Sequence, residues 1–276
     1  MELYPDGFLS KDIDRHVAEC LEDFPRHAGL IDRANRVAMD FLRKPRSIPD
    51  ENADLLTTLL FGRAVQDFEA AIFLAQHGFR AQSRSMVRST FEAALYCQAS
   101  SREISLLKGM SPQIKKGTGT ALPFIDGLIG GHQRFRLATA KELRDMQELP
   151  SDHSEALSEV IDDLGPASSY KDIDIKGLAA DLGFSDLYTV IYRSLSQDSH
   201  PSVTSLNHHV NLTPESKITG FHFGPDYEQF EETAAFAICS LLLAMEAFTI
   251  RCGSPEESEE VKSLTEAYRD LMSDVT

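Results

Sequence analysis

The stretch from Glu228 to Cys252 constrains this chain more than any other, because its most apolar run, Ala234 to Ala247, carries only Cys239, Ser240 and Glu246 as relief. A helix apolar around its whole circumference has to be surrounded on every side. The run is too short to cross a bilayer, which takes about 20 apolar residues. It is therefore expected to form the centre of a helical bundle, wrapped by the other segments of the chain. With 276 residues, 42% of them hydrophobic, there is enough apolar material for a substantial core.

The wrapping segments read as helices. From Lys11 to Leu42 the apolar residues Ile13, Val17, Leu21, Phe24, Leu30, Ile31, Ala34, Val37, Ala38, Phe41 and Leu42 recur mostly at spacings of three and four. Pro25 and Gly29 are expected to break this stretch in two. Asn52 or Asp54 can cap a second helix that runs to Gly78, and a third follows from Phe79 to Ser100, antiparallel to it across a short turn. Shorter helices are expected at Ala138 to Leu149, Ser151 to Leu164 and Asp174 to Phe184. Ser254-Pro-Glu-Glu caps a final helix that reaches Met272. Lys217 to Phe223 alternates briefly and predicts a small β hairpin or arm, whose aromatics Phe221, Phe223, Tyr227 and Phe230 suit a partner's surface. The fold class is all-α: a bundle of about seven to nine helices with one small hairpin near 217–223, as a single domain. Its core runs over 53–252, with helices 11–42 and 255–272 packed on it and an irregular loop at 108–136.

Two polar constellations stand out. In the segment Leu187 to Asn207, Arg193 and His200 lie seven residues apart, which on a regular α-helix puts them on one face with Ser196 between them. Pro201 ends that helix, leaving His200 at a C-terminus where the partial negative charge favours its protonated form. In the third helix Arg80, Arg84, Arg88 and Glu92 recur every four residues. Two arrangements remain open for them: a solvated face with one Arg88–Glu92 pair, or an inward-facing pair beside the Arg193–His200 helix.

Other classes fit less well. The glycines between Lys108 and Arg136 match neither GxGxxG nor GxxxxGK[ST], which argues against a nucleotide-binding loop. Cys20, Cys97, Cys239 and Cys252 form no CxxC pair, and His200, His208, His209 and His222 lack the spacing of a metal site, so no metal or cofactor is expected. A formal net charge of −16 disfavours nonspecific association with nucleic acid or anionic membranes and leaves room for a local basic cleft. The opening Met-Glu-Leu-Tyr-Pro-Asp has no signal-peptide pattern. The expectation is a cytoplasmic protein that does not engage a membrane.

The segments GFRAQSRSMVRSTFEA and LAADLGFSDLYTVIYRSLSQDSHPS resemble a broad family of uncharacterised bacterial helical proteins. That family pairs R-S-x-x-E with a later Y-R-x-x-S-x-x-x-H-P-S, and the resemblance covers roughly Leu59 to Asn207. More distantly, Arg193 and His200 resemble the R-x(4–6)-H signature of the HEPN superfamily, helical bundles that commonly dimerise and include metal-independent ribonucleases of toxin–antitoxin and antiviral systems. The resemblance implies an RNA substrate, a homodimer, and an antitoxin or other protein partner. It makes Arg193 the phosphate-binding group and His200 the general base, supported by Arg88, Glu92, Tyr192 and Ser196. The alternative is a non-enzymatic helical interaction module in which the same Arg, Glu and His side chains form a buried structural cluster.

Overall fold

The computed structural model describes residues 7–44, 52–102, 137–141, 151–164, 173–198, 206, 208–214 and 217–273. Its elements, in chain order, are α1 (Ile13–Asp23), α2 (Pro25–Arg43), α3 (Asn52–Gln76), α4 (Arg80–Ser101), α5 (Ser151–Leu164) and α6 (Ile175–Asp181). A seventh helix, α7, joins Ser185–Leu187, a π-helical Tyr188–Arg193 and Ser194–Ser196. A hairpin of β1 (Val210–Leu212) and β2 (Ile218–Phe221) comes next, then α8 (Phe230–Cys252) and α9 (Pro255–Ser273). The protein is an all-α bundle carrying one small antiparallel hairpin, as its sequence predicts.

The central helix is α8, packed against α3 and α4. By length and composition its 23 residues could cross a membrane, yet 67% of its apolar window is buried within the bundle. Phe248 stacks on Phe61 of α3 with ring centroids 4.5 Å apart, and Phe41 of α2 joins them at 6.1 Å from Phe248. Polar ties fix the register of this core. Gln98 of α4 is fully buried and donates its amide to the Leu243 carbonyl at 2.8 Å and to Glu246 at 3.1 Å. Thr57 donates to Ser100 at 3.0 Å across α3 and α4.

Local chemistry accounts for the boundaries. Pro25 stands at the first position of α2, where a missing N–H costs nothing, so the chain breaks at Phe24. Gly29, expected to break the chain as well, lies inside α2: a single helical glycine weakens a helix without ending it. Between α3 and α4 the Phe79 N–H bonds the Leu74 carbonyl and the Gly78 N–H bonds the Ala75 carbonyl, the double closure of a helix end whose pivot needs positive φ. Gly78 supplies it, at φ 75°. A Cβ there would lie 2.6 Å from Pro225, so the glycine also admits the strap that leads into α8. Ser254 and Glu257 form a reciprocal cap on α9, with the Ser254 N–H donating to Glu257 at 2.8 Å and the Glu257 N–H to Ser254 at 3.3 Å. Lys44 closes this corner through an ion pair with Glu257 at 3.0 Å.

The expected helix at 138–149 is described only over 137–141, where it is helical. The 108–136 loop lies outside the described residues. The hairpin pairs Val210 with Phe221 and Asn211 with Gly220, and its second strand falls within the predicted 217–223.

Candidate functional site

Helices α4 and α7 pack against each other, bringing the two sequence constellations together. The arginines spaced by four on α4 do not share one fate. Arg80 has a side chain only 8% exposed and is met by Asp226 at 2.9 Å, Glu228 at 2.8 Å and the Gln229 side-chain oxygen at 3.2 Å. Burial alone would push the Asp226 carboxyl up, but the Glu228 N–H and the Arg80 guanidinium more than offset this and hold it below the usual range. Arg84 lies deeper. Its Nε donates to Asp198 Oδ2 at 2.6 Å and its Nη1 to Glu232 at 2.7 Å. Asp198, 3% exposed, turns its other oxygen to His208 Nε2 at 3.3 Å. Four side chains from α4, the end of α7, the approach to the hairpin and the start of α8 thus form one polar cluster.

Arg88 is different. It is half-buried, its guanidinium lies 4.4 Å from the centre of the Tyr192 ring, and Nη2 donates to the Tyr192 hydroxyl. Its buried Nε has no hydrogen-bond partner among the described residues. Arg88 makes no ion pair among the described residues, whereas Arg80 and Arg84 each meet two carboxylates. Glu92 accepts from the Tyr96 hydroxyl at 3.1 Å instead of pairing with Arg88. Burial is the main reason the Tyr192 hydroxyl holds its proton more tightly than a free phenol; the Glu92 charge adds to this, and the Arg88 hydrogen bond works against it. Tyr188 stacks on Tyr192 with ring centroids 5.1 Å apart.

The π-helical turn at Tyr188–Arg193 alters the geometry expected from the sequence. Placing Arg193 and His200 on one face supposes helix that stays regular as far as His200, whereas the π turn shifts the residues beyond it only relative to those before Tyr188. In this turn Tyr192 meets Arg88 of α4 and Ile191 is buried in the core, while Arg193 is exposed. The Ser196 hydroxyl donates to the Tyr192 carbonyl at 2.6 Å, leaving its lone pairs as the part open to a ligand. Regular helix ends at Ser196. His200 and Pro201 lie outside the described residues.

Sequence reasoning singles out Arg88, Glu92 and Tyr192; Arg88 and Tyr192 meet, whereas Glu92 bonds Tyr96 and reaches Tyr192 only through its charge. It misses Asp198 and Glu232 as the partners of Arg84, and His208 as the second partner of Asp198. The signal available is the acidic run Asp226 to Glu232 at the start of the central helix, whose Glu231 and Glu232 occupy the first turn. Beside this cluster a small pocket of about 160 Å³ is lined by Arg80, His208, His209, His222, Phe79 and Asp226 among others. Among the described residues no three His, Cys, Asp or Glu side chains converge to hold a metal ion.

Residues 119–218 match the model of a family of unknown function, DUF5677. The matched stretch includes Tyr192, Arg193, Ser196, His200 and the His208 partner of Asp198, and it leaves out α4. The chain is thereby similar to an uncharacterised family over its second constellation. No curated protein and no solved structure matches the chain significantly.

Proposed function

We propose that the protein is a metal-independent, HEPN-like ribonuclease acting in the cytoplasm as a toxin or antiviral defence effector, held in check by an antitoxin or other protein partner. The observation that carries this reading is the state of Arg88. An arginine whose charge is already met by two carboxylates, as Arg80 and Arg84 are, cannot bind an anion without losing those partners. Arg88 instead rests on a phenol, with a buried Nε unused, and keeps its charge for a phosphate.

In this mechanism Arg88 and the exposed Arg193 bind the phosphodiester and stabilise the charge that grows on it. His200 takes the proton of the ribose 2′-hydroxyl, the 2′-oxygen attacks phosphorus, and the P–O bond to the 5′-oxygen breaks as that oxygen takes up a proton from water, leaving a cyclic phosphate end and a 5′-hydroxyl. Tyr192 keeps its proton at neutral pH and donates it to a non-reacting oxygen, while Ser196, its hydrogen spent on the Tyr192 carbonyl, meets the substrate as an acceptor from a ribose hydroxyl. Glu92 adds to the local field that keeps the phenol protonated.

A second reading has its own support. The Arg84–Asp198–Glu232–His208 cluster ties together several segments distant in sequence, which is what a structural cluster in a non-enzymatic interaction module would do. The two readings separate on labelled RNA incubated with EDTA. The ribonuclease reading expects cleavage by the wild-type protein, reduced by about 10²–10⁴-fold in His200→Ala with an unchanged melting curve. Absence of cleavage by the wild-type protein at every concentration would leave the interaction module.

A further inference from the structure

The exposed side of α3 is built unlike a solvated helix face. Leu59 is 62% exposed, Phe73 59% and Leu55 43%, while Phe61, Ala64, Phe68, Ala71 and Ala75 on the opposite side are buried in the core. At about 100° per residue, Leu55, Leu59, Gly62, Gln66, Glu69 and Phe73 fall within about 80° of one another, at alternating steps of four and three. That is the spacing of a coiled-coil seam, apolar at its two ends and polar at its centre, and no element of the described residues covers it. Leu42 at the end of α2, itself 37% exposed, lies beside Gly62 and widens the apolar strip.

We infer that this face is a homodimer interface in which α3 packs against α3 of a second copy, antiparallel across a two-fold axis. The seam is self-complementary in that direction. Leu55 meets the partner's Phe73, Gly62 meets the partner's Gln66, and Leu59 meets the aliphatic stem of the partner's Glu69, whose carboxylate reaches the rim. Gly62 next to the axis lets the two helices approach closely at their crossing, with Gln66 opposite as the polar residue that fixes register. The large side chains sit at both ends, so the two-fold buries each of them twice, which is the isologous pattern of a closed dimer.

The area agrees. The exposed parts of Leu42, Leu55, Leu59 and Phe73 add up to about two whole side chains, or roughly 300–400 Å² of apolar surface per copy at about 150–200 Å² each. A standard interface covers about 800 Å² per partner with a little over half of it apolar, so the seam supplies most of that apolar share, with Gln66, Glu69 and Arg63 as its polar flanks. Arg63 brings no bare charge to the axis, being paired with Asp67 of its own helix at 2.8 Å.

Sedimentation velocity on the full chain tests this. The wild-type protein should be a dimer at about 10 μM, and Leu59→Glu or Phe73→Glu should raise the dissociation constant at least about tenfold while the melting curve of the monomer holds, because both positions are exposed in the protomer. The Gly62→Cys, Gln66→Cys double variant should form an intermolecular disulfide under mild oxidation, since a Cβ at Gly62 meets nothing closer than Leu42 at 4.0 Å. A wild-type monomer at that concentration would overturn the inference. So would a dimer indifferent to the Glu substitutions, or one that the paired cysteines fail to cross-link, because either would place the contact elsewhere.

Discussion

Arg84 Nε lies 2.6 Å from Asp198 Oδ2, and both side chains are at most 5% exposed, although 114 residues separate them in the chain. Removing Asp198 leaves the buried Arg84 with Glu232 alone, and removing Arg84 leaves the buried Asp198 with His208 alone. Arg84→Ala or Asp198→Ala is expected to lower stability by about 3–5 kcal/mol, whereas Arg84→Met combined with Asp198→Leu should recover most of the loss, since a well-packed apolar pair often replaces a buried ion pair. Chemical denaturation of the three variants reads this directly. Single variants within about 1 kcal/mol of wild type would mean that water reaches the pair.

His27 gives the protein a pH-dependent stability of known sign. It is 4% exposed, and burial first, with the neighbouring Arg26 charge, draws its pKa below the ordinary 6.5 against the opposing pull of Glu231. The folded chain therefore refuses a proton that the unfolded chain accepts. Its contribution is fully present above that ordinary value and falls as pH drops below it. The melting temperature of the wild-type protein should decline from about pH 7 to about pH 5 more steeply than that of His27→Gln. Parallel curves would show that His27 protonates freely in the folded state.

Two glycines should respond in opposite directions to the same methyl group. Gly78→Ala places a Cβ 2.6 Å from Pro225 at φ 75° and is expected to cost on the order of 1–3 kcal/mol. Gly29 sits inside α2 with nothing within 4 Å of its ideal Cβ, so Gly29→Ala should add about 0.5–1 kcal/mol. Urea midpoints for the two variants check both signs. Equal midpoints would show that the Pro225 strap does not fix the Gly78 turn.

The helices were legible because apolar spacing reports a buried face directly, and α8, α3 and α4 arise from it with boundaries one or two residues from those read off the chain. The meeting of Arg88 with Tyr192 was legible in part, since both lie in motifs that resemble one family. The partner of Arg84 was not. Asp198 pairs with it only because α7 leans on α4 and the chain then turns back at His208, a tertiary relation with no local spacing to announce it. The π-helical turn was equally hidden: nothing in YTVIYR distinguishes it from α-helix, and within it Tyr192 meets Arg88 while Arg193 is exposed. Gly29 misled because a helix flanked by good formers absorbs one glycine.

Phosphate binding by the Arg88 guanidinium is the centre of the ribonuclease reading, so the most direct test removes that group alone. Wild type, Arg88→Ala and Arg88→Lys are incubated with end-labelled RNA in EDTA, the ends of the products are assayed for cyclic phosphate, and each protein is melted in parallel. Metal-independent cleavage with cyclic phosphate ends is expected of the wild-type protein. Arg88→Ala should lose about 10²–10³-fold and Arg88→Lys should be partly active, with melting temperatures close to that of wild type. Undiminished cleavage by Arg88→Ala, or no cleavage by the wild-type protein together with a marked loss of stability in Arg88→Ala, would contradict it.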